Sequence, residues 1–442
     1  MNNTVNDVLA FVKENDVKFV RLGFCDPLGF QKNISITPDD LPGAFEYGVS
    51  FDAAAIQGFK DDIKSDLLLF PDPSTLTVLP WRPGPGRVIR FYCDIKTPEG
   101  MIYSHDSRNI LKRVVERSRT MGYICQIGSE CEFYLFKTDE NGEPTDQTLD
   151  KGGYLDISPI DKGENIRREI CLCLMEMGIK PETSHHEQGP GQNEISFKFS
   201  DAVSSADNLL TFKSVVKAIA ARNGLFASFM PKPIQNASGS GLHVNISLAR
   251  NGMNIFKKES DEHSKAAESF IAGILEQTPG MTLFLNPLAN SYDRFGKCEA
   301  PKYVSWSHQN RSQLIRIPAA ANDKFRMELR SPDPSMNPYL GFALIISAGL
   351  DGIERGLPLP PGVDINLFKA PDDFTRNLRQ LPEDINSAIA QTEKSTFVRS
   401  VVGEEYFNSY IELKKLEASK YNRAVNNNSR EEYYREKYFT MI

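Results

Sequence analysis

The 442-residue sequence lacks the features that mark several large classes of protein. No apolar run approaches the roughly 20 residues that a membrane-spanning helix needs, and residues 1–5 do not follow the pattern of a signal peptide. The seven cysteines are odd in number and irregularly spaced, so they do not suggest a disulfide framework. A net charge of -7 argues against a nucleic-acid-binding surface. We therefore expect a cytoplasmic protein that binds neither membranes nor nucleic acid.

The chain has the composition of a globular protein, and its length suggests a small domain followed by a large one. Apolar residues at helical spacing predict a first helix that ends at Asn15, and segments 17–24 and 30–36 are predicted to form a strand hairpin. The Pro- and Gly-rich segment 71–86 is typical of a loop region. Beyond it, strands alternate with helices. We place the domain boundary near residue 103, giving domains 1–103 and 104–442.

Segment 128–136 places two carboxylates inside an apolar strand pattern. Glu130 and Glu132 flank Cys131, and residues two apart in a strand point to the same face. Two like charges on one buried face are costly unless a cation lies between them. A metal ion, a pair of arginines or an ordinary ion-pair network would each satisfy this segment on its own.

Two later segments add possible ligands. Glu187 and Glu194 flank a Gly/Pro-rich turn, which would bring both carboxylates to one site. A glycine-rich turn precedes a strand that places His243, Asn245 and Ser247 on one face. Taken alone, His243 could equally be an ordinary polar residue of a strand.

Arginines are concentrated in the second half of the chain. Arg326, Glu328 and Arg330 share one face of a predicted strand. Arg311 and Arg316 lie shortly before it. Their planar guanidinium groups suit bidentate recognition of phosphate or carboxylate.

Together these segments offer five acids, one histidine and several arginines. Hard divalent cations such as Mg²⁺ and Mn²⁺ prefer oxygen ligands and accept one imidazole. Zn²⁺ would need a Cys/His spacing that the chain lacks. Six protein ligands could hold two ions, which together can bind a phosphoryl group. The sequence has no Walker loop and no kinase signature, so an ATP site would need another architecture.

The order of these motifs resembles the type I glutamine synthetase family over essentially the whole chain. The blocks that carry the resemblance are Phe51-Asp52, Glu130-x-Glu132, His185-His186-Glu187, Gly191-Gln192-x-Glu194, Met230-Pro-Lys-Pro233, Gly239-Ser-Gly-x-His243, Asn310-Arg-Ser312, Arg326-x-Glu328-x-Arg330 and Ser331-Pro-Asp-Pro-Ser335.

The resemblance implies an α+β protein with an N-terminal β-grasp domain and a catalytic domain built as a funnel of antiparallel strands flanked by helices. It implies ATP-dependent ligation of ammonia to the γ-carboxylate of L-glutamate through γ-glutamyl phosphate, which gives glutamine, ADP and phosphate. The implied cofactors are Mg²⁺ or Mn²⁺, two or more per site. The implied assembly is a dodecamer of two hexameric rings with active sites shared between subunits.

The resemblance also implies a role for individual residues. One metal ion would be held by Glu132, Glu187 and Glu194, and the other by Glu130, His243 and Glu328. Glutamate would contact Ser238, Gly239, Arg294, Glu299, Arg311 and Arg330. ATP would contact Glu182, Asn245, Ser247, Arg311 and Arg316. The ammonium pocket would consist of Asp52, Tyr154, Glu187 and Glu299. The resemblance implies three catalytic groups. Asp52 of the partner subunit would deprotonate ammonium, and Glu299 would close over the intermediate. Arg311 would lie nearest the transferred phosphate.

Some positions depart from the family pattern. Ala53-Ala-Ala55 replaces Gly-Ser-Ser, Ser238 replaces Asn, Asn245 replaces His, and the flap segment 294–299 is one residue short. Three hypotheses remain: a glutamine synthetase, a γ-glutamyl–amine ligase that uses a polyamine or monoamine, and a non-catalytic structural or regulatory relative. Retention of the implied metal ligands, Asp52 and Glu299 argues against the third. We expect ammonium as the acceptor.

Overall fold

The computed structural model describes residues 3–59, 65–81, 86–256, 264–319 and 325–442. Residues 82–85 of the predicted loop region lie outside them. The described part of that region contains a single 3₁₀ turn and a two-residue strand. Within the described residues, no helix combines the length and the apolar character needed to cross a membrane.

The N-terminal part is a mixed sheet with two helices. Its elements are α1 (Val5–Glu14), β1 (Val17–Cys25), β2 (Gln31–Ile36), α2 (Leu41–Tyr47), β3 (Val49–Asp52), β4 (Asp66–Pro71), β5 (Thr77–Val78) and β6 (Arg87–Lys96). Helix α1 begins at a capping box in which Thr4 and Asp7 bond reciprocally, and Asn15 ends it as predicted. Among the described residues the strand order is β2-β1-β6-β4-β3, with β5 on β6. Strands β1 and β6 are parallel.

The second part is organised around a larger sheet. Its strands are β7 (Tyr123–Thr138), β8 (Pro144–Thr148), β9 (Pro181–His186), β10 (Gln192–Asp201), β11 (Leu225–Ser228), β12 (Leu242–Arg250), β13 (Met253–Asn254), β14 (Trp306–His308), β15 (Ile315–Ile317) and β16 (Met327–Leu329). Over the described residues the main order is β14-β15-β16-β12-β7-β10-β9. Most neighbours are antiparallel, while β14 and β15 are parallel.

The second part also contains ten helices within the described residues, several of which pack against the strands of this sheet. They are α3 (Ser107–Thr120), α4 (Glu164–Glu176), α5 (Ala202–Arg222), α6 (Lys265–Leu285), α7 (Pro338–Arg355), α8 (Asp372–Thr375), α9 (Ile385–Glu393), α10 (Thr396–Val402), α11 (Glu404–Asn426) and α12 (Arg430–Tyr434). Asp106 caps α3 by accepting a hydrogen bond from the backbone N–H of Asn109. The N-terminal β-grasp domain and the mixed α+β fold predicted from the sequence are confirmed. The boundary at residue 103 stays a prediction.

Strand β7 lies in the middle of the larger sheet and has two faces of different character. Cys131, Phe133 and Leu135 are fully buried, in the core cluster that also contains the apolar residues of α5. Glu130 and Glu132 point to the opposite face, since side chains alternate along a strand. The strand therefore supports the core with one face and presents carboxylates with the other.

Candidate active site

Strand register brings most of the predicted metal ligands together. On β7, Glu130 pairs with His243 of β12, and Glu132 pairs with Glu194 of β10. Glu194 in turn faces His185 of β9. Because directly paired residues share a sheet face, these side chains form two adjacent rows on one side of the sheet.

The distances between these groups are short. Nδ1 of His243 lies 3.5 Å from a Glu130 oxygen and 3.7 Å from a Glu328 oxygen. Ligand atoms of Glu130, Glu194 and His243 all lie within 4.8 Å of one another. Of the six predicted ligands, all but Glu328 line one cavity of about 570 Å³. Glu328 is almost fully buried beside His243, with 1% of the residue exposed.

A second group of three ligand atoms lies next to the first. The two ring nitrogens of His185 lie 3.5 Å from Glu187 and 3.4 Å from Glu194. The hydrogen bond to Glu194 raises the pKa of His185 to about 9, although burial opposes the shift. No role was assigned to His185 from the sequence. Its position two residues before Glu187, in the His-His-Glu segment, could have indicated that it belongs to the site.

Two of the carboxylates, Glu132 and Glu187, are not fully compensated by the charges of the protein alone. Burial, with the charges of Glu187 and Glu194, raises the pKa of Glu132 to about 7. Burial and Glu194 also raise the pKa of Glu187. Burial would raise the pKa of Glu130 as well, but the hydrogen bond and charge of His243 outweigh it and hold this pKa at about 2. A set of buried oxygen ligands with one imidazole and excess negative charge fits hard divalent cations.

Polar groups behind the cavity fix the direction of Glu132. Its Oε2 accepts hydrogen bonds from Gln192 Nε2 at 2.8 Å and from the backbone N–H of Gly241 at 2.9 Å. A Cβ on Gly241 would lie 3.0 Å from His243 Nε2 and 3.1 Å from Arg294. Glycine therefore lets the backbone approach the ligands closely. Gln192 was not predicted as a site residue.

Two arginines contact the carboxylate of Glu328. Its carboxylate accepts a hydrogen bond from Arg316 Nη1 at 2.6 Å and another from Arg330. Nη2 of Arg330 also lies 3.8 Å from Glu299. In the described structure, the Nε atoms of Arg294, Arg316 and Arg330 are buried without a hydrogen-bond partner. Buried guanidinium donors without partners are suited to an anionic substrate.

The flap segment adopts an uncommon backbone conformation. Cys298 and Glu299 have φ values of 46° and 65°, a region that side chains other than glycine seldom adopt. The turn is closed by hydrogen bonds between Gly296 and Ala300 and between Ala300 and Lys297. It places Glu299 at the wall of the cavity. Such conformations cost roughly 1–3 kcal/mol each and cluster at functional sites.

The residues predicted to bind glutamate and the amine border the same cavity. Those that line it are Tyr154, Glu187, Ser238, Gly239, Arg294, Glu299, Arg311 and Arg330. The ring of Tyr154 lies edge-on to His185 with centroids 5.6 Å apart. Asp52 is exposed at the end of β3, accepts a hydrogen bond from the Ala54 backbone N–H at 3.0 Å, and is not among the described residues that line the cavity.

A second cavity of about 290 Å³ adjoins the first through Glu130, which lines both. Glu182, Asn245 and Ser247, predicted for ATP, line this second cavity. Arg311 lines the first cavity instead. Arg316 lines neither of these two cavities among the described residues and contacts Glu328.

A chain of hydrogen bonds runs from the second cavity to the first. Arg326 Nε donates to Asn245 Oδ1 at 2.8 Å, and Asn245 Nδ2 donates to Glu130 at 2.8 Å. Phe199 and Phe325 also line the second cavity, and neither was predicted. No sequence signal separates such aromatic residues from core residues.

A buried pair supports the loop that carries Tyr154. Asp150 Oδ1 accepts hydrogen bonds from His186 Nε2 at 2.9 Å and from the backbone N–H groups of Gly152 at 3.1 Å and Gly191 at 3.0 Å. Its Oδ2 accepts one from the Lys162 backbone at 2.9 Å. His186 directly precedes Glu187. Asp150 therefore ties the 150–162 loop to the hairpin that carries Glu187.

The fold and the site define an ATP-dependent carbon–nitrogen ligase that uses divalent metal ions. The sequence profile "Glutamine synthetase, beta-Grasp domain" matches residues 16–98, and "Glutamine synthetase, catalytic domain" matches residues 104–433. The chain belongs to the glutamine synthetase family and is a glutamate–ammonia ligase by class. This confirms the family recognised from the sequence.

Individual relatives match along nearly their whole length. Glutamine synthetase of Clostridium saccharobutylicum is 44% identical over 435 residues, which cover 97% of this chain and 98% of the relative. That of Methanosarcina mazei is 44% identical over 428 residues and covers 96% of each chain. Among solved structures, Plasmodium falciparum glutamine synthetase matches with a TM-score of 0.87 at 27% identity, over 99% of both chains. A GmaS/ADP complex matches with a TM-score of 0.86 at 28% identity, over 96% and 97%.

Proposed function

We propose that this enzyme ligates ammonium to the γ-carboxylate of L-glutamate in two steps. The γ-carboxylate first attacks the γ-phosphorus of ATP, and ADP leaves. Ammonia then attacks the resulting acyl phosphate, and phosphate leaves with formation of the amide. Activation is needed because a carboxylate is a poor electrophile. The observation that carries the proposal is the single cavity that joins the crowded carboxylates, His243 and the arginines.

We propose the two sets of metal ligands that the family resemblance implies, and the strand register supports them by bringing Glu130 beside His243 and Glu132 beside Glu194. Glu132, Glu187 and Glu194 would hold one ion, and Glu130, His243 and Glu328 the other. When bound, such ions neutralise the charge that develops on the phosphoryl group during its transfer. The raised pKa values of Glu132 and Glu187 support this assignment, since both carboxylates lack sufficient positive charge in the protein alone.

We assign one substrate to each of the two cavities. Glutamate would occupy the first cavity, with its carboxylates bound by Arg294 and Arg330 and its remaining contacts from Ser238 and Gly239. ATP would occupy the second cavity, beside Glu182, Asn245 and Ser247. Phosphoryl transfer would take place where the cavities meet, near Glu130. Arg311, on the wall of the first cavity, would stabilise the transferred group.

The acceptor pocket is acidic, which favours a cation. Tyr154, Glu187 and Glu299, which line the first cavity, would form it, and Asp52 of the partner subunit would complete it and remove a proton from ammonium. Glu299, on the flap, would shield the acyl phosphate from water, which would otherwise hydrolyse it. The exposure of Asp52 in the single chain is consistent with a site completed by assembly, and we propose the dodecamer of two hexameric rings that the family resemblance implies. We propose the cytoplasm as its location.

A γ-glutamyl–amine ligase is the second candidate, and one residue favours it. Ala55 replaces a serine of the family pattern and so removes one hydroxyl near the acceptor pocket. The space gained is about one oxygen atom, which is too little to accommodate a long polyamine. Loss of one hydrogen bond should cost about 0.5–1.5 kcal/mol, a several-fold rise in KM. We therefore place ammonium first, with tolerance for hydroxylamine and methylamine.

A steady-state assay of phosphate release with ammonium and a panel of amines tests this choice. We expect the highest kcat/KM with ammonium. Ala55→Ser should lower the KM for ammonium several-fold and weaken the use of methylamine, whereas the control Ala54→Ser, at an adjacent exposed position, should change neither. A higher kcat/KM for a bulky amine than for ammonium would contradict the proposal in favour of the second candidate.

A further inference from the structure

A separate cavity of about 280 Å³ lies between the two parts of the chain, away from the residues that line the candidate active site. Three segments of different origin border it: the turn between β1 and β2, helix α5, and the C-terminal residues Met441 and Ile442. Ser335, which follows the Arg330 segment, completes its wall. At about 30 Å³ per water molecule, it has room for a ligand of about ten non-hydrogen atoms.

Two lysines of α5 face this cavity. Lys213 and Lys217 are four residues apart, so they lie on the same side of the helix, where two like charges repel. Within the described part of the chain, neither ammonium group forms an ion pair with a carboxylate. The Lys217 ammonium donates a hydrogen bond to the Met441 carbonyl at 3.2 Å.

The surroundings compensate this positive charge only in part, because burial of Lys213 outweighs the opposing charge of Asp333. Burial lowers the pKa of Lys213. Burial, with the charge of Lys213, lowers the pKa of Lys217 to about 8. Lys32 also lines the cavity, but its ammonium lies 3.6 Å from Asp26.

The polar groups near the two lysines have hydrogen-bond partners of their own. Asp333 lies two residues before Ser335 of the cavity wall; its oxygens accept hydrogen bonds from Asn286 and Ser335, and its charge acts on Lys213. Ser214, which lies between the two lysines in the sequence, also lines the cavity. Its hydroxyl donates a hydrogen bond to Gln31 Oε1 at 2.6 Å. The charged side chains that line the cavity are therefore lysines, in a protein whose net charge is -7.

We propose that Lys213 and Lys217 form a binding site for a small oxyanion, a phosphate- or carboxylate-bearing metabolite, distinct from the catalytic cavity. Such a ligand would pair with both ammonium groups and remove their mutual repulsion. It would also contact the N-terminal part, α5 and the C-terminal residues at once, so its binding should stabilise their association.

Competitive acetylation with peptide-resolved mass spectrometry tests the site on the full-length enzyme. A lysine whose pKa is about 8 stays mostly protonated at neutral pH, but its unprotonated fraction is far larger than that of an ordinary lysine, so it is acetylated more readily. Saturating phosphate, sulfate or succinate should slow acetylation of Lys217 at least fivefold, relative to chloride at equal ionic strength. Lys420, an exposed lysine of α11, is the internal control and should be unaffected. Protection by phosphate and sulfate alone would indicate a phosphate-type ligand, and protection by succinate a carboxylate-type ligand.

Lys213→Met should abolish this protection, whereas the control Lys420→Met should leave it intact. If Lys213→Met does not fold, Lys217→Gln serves instead, with acetylation of Lys213 as the readout. Absence of protection by all three anions would overturn the proposal. So would protection that survives loss of either lysine, since the anion would then bind elsewhere.

Discussion

Replacement of Asp150 by Asn tests whether the buried Asp150–His186 pair positions the acceptor pocket. The side chain of Asp150 is 2% exposed. Burial alone would raise its pKa, but hydrogen bonds from His186 and from the backbone of Lys162 and Gly152 lower it to about 2. Relative to the ordinary value of 3.8, this corresponds to about 2 kcal/mol in favour of the charged form.

The asparagine variant loses that charge and one acceptor. Its amide oxygen can replace Oδ1, but its NH₂ group would then face the Lys162 backbone N–H and leave it unpaired, at about 1–3 kcal/mol. We expect the melting temperature to fall by about 5 °C or more. The KM for ammonium should rise more than the KM for ATP, because the loop of Tyr154 and the hairpin of Glu187 lose their common anchor.

The pH dependence of this loss has a defined sign. Asp150 has a lowered pKa, so its contribution is present above pH 3.8 and is lost as the pH falls toward 2. The pKa of His186 is raised: burial opposes this shift, but the hydrogen bond that His186 donates to Asp150 and the bond to the Glu187 backbone carbonyl outweigh it. The contribution of His186 is therefore complete below pH 6.5 and declines as the pH rises through its raised pKa. The difference in melting temperature between parent and variant should be largest between about pH 4 and pH 6.5.

Asp146→Asn is the matched control, since Asp146 is exposed in β8 four residues before Asp150. Differential scanning calorimetry and steady-state kinetics are measured on both variants. If Asp150→Asn matches Asp146→Asn in melting temperature and in the KM for ammonium, Asp150 does not position the pocket.

Three other experiments examine the metal site and the shared active site. Glu130→Ala should lower kcat/KM for phosphate release by about 100-fold or more, and the exposed Glu140→Ala should not; activity within a few-fold of the parent would refute the ligand assignment. Mixed assemblies of Asp52→Ala and Arg330→Ala subunits should regain some activity, and hybrids as inactive as both parents, despite proven mixing, would refute a site shared between subunits. Chelation of divalent ions should abolish activity and lower the melting temperature, because Glu132 and its neighbours lose their counter-ions; an unchanged melting temperature would argue against resident ions.

Strand periodicity accounts for the part of the site that could be predicted. Glu130, Glu132, His243 and Asn245 lie on strands whose alternation is visible in the sequence, and the structure places them together. Arg316 could not be assigned in the same way. Its side chain contacts Glu328, because strand β15 pairs with strand β16. The sequence does not show which strands are neighbours, so it could not show whether Arg316 contacts this carboxylate or the second cavity.

The long buried helices were not predicted from the sequence. Helix α7 is buried on nearly all sides, so its sequence lacks the apolar stripe that marks a surface helix. Helix α6 contains Pro279 in its interior, which disfavours a helix on propensity alone. They pack closely at Gly273 and Gly352, where a Cβ on Gly273 would lie 2.1 Å from the Ala348 carbonyl oxygen. Such tertiary contact is not visible in local sequence patterns.

Strand β7 should tolerate a substitution better than a change in its length. Insertion of one residue just before Glu130 would turn Cys131 and Phe133 toward the cavity and bury the carboxylates of Glu130 and Glu132 in the core. A substitution alters one contact, whereas such an insertion would destroy the core and the site together. Its pairing with β10 is irregular between Phe197 and Ser200, and that with β8 between Phe136 and Thr138, both outside the carboxylate rows. Natural variants of this enzyme should therefore vary in length at those two places and keep a constant spacing between them.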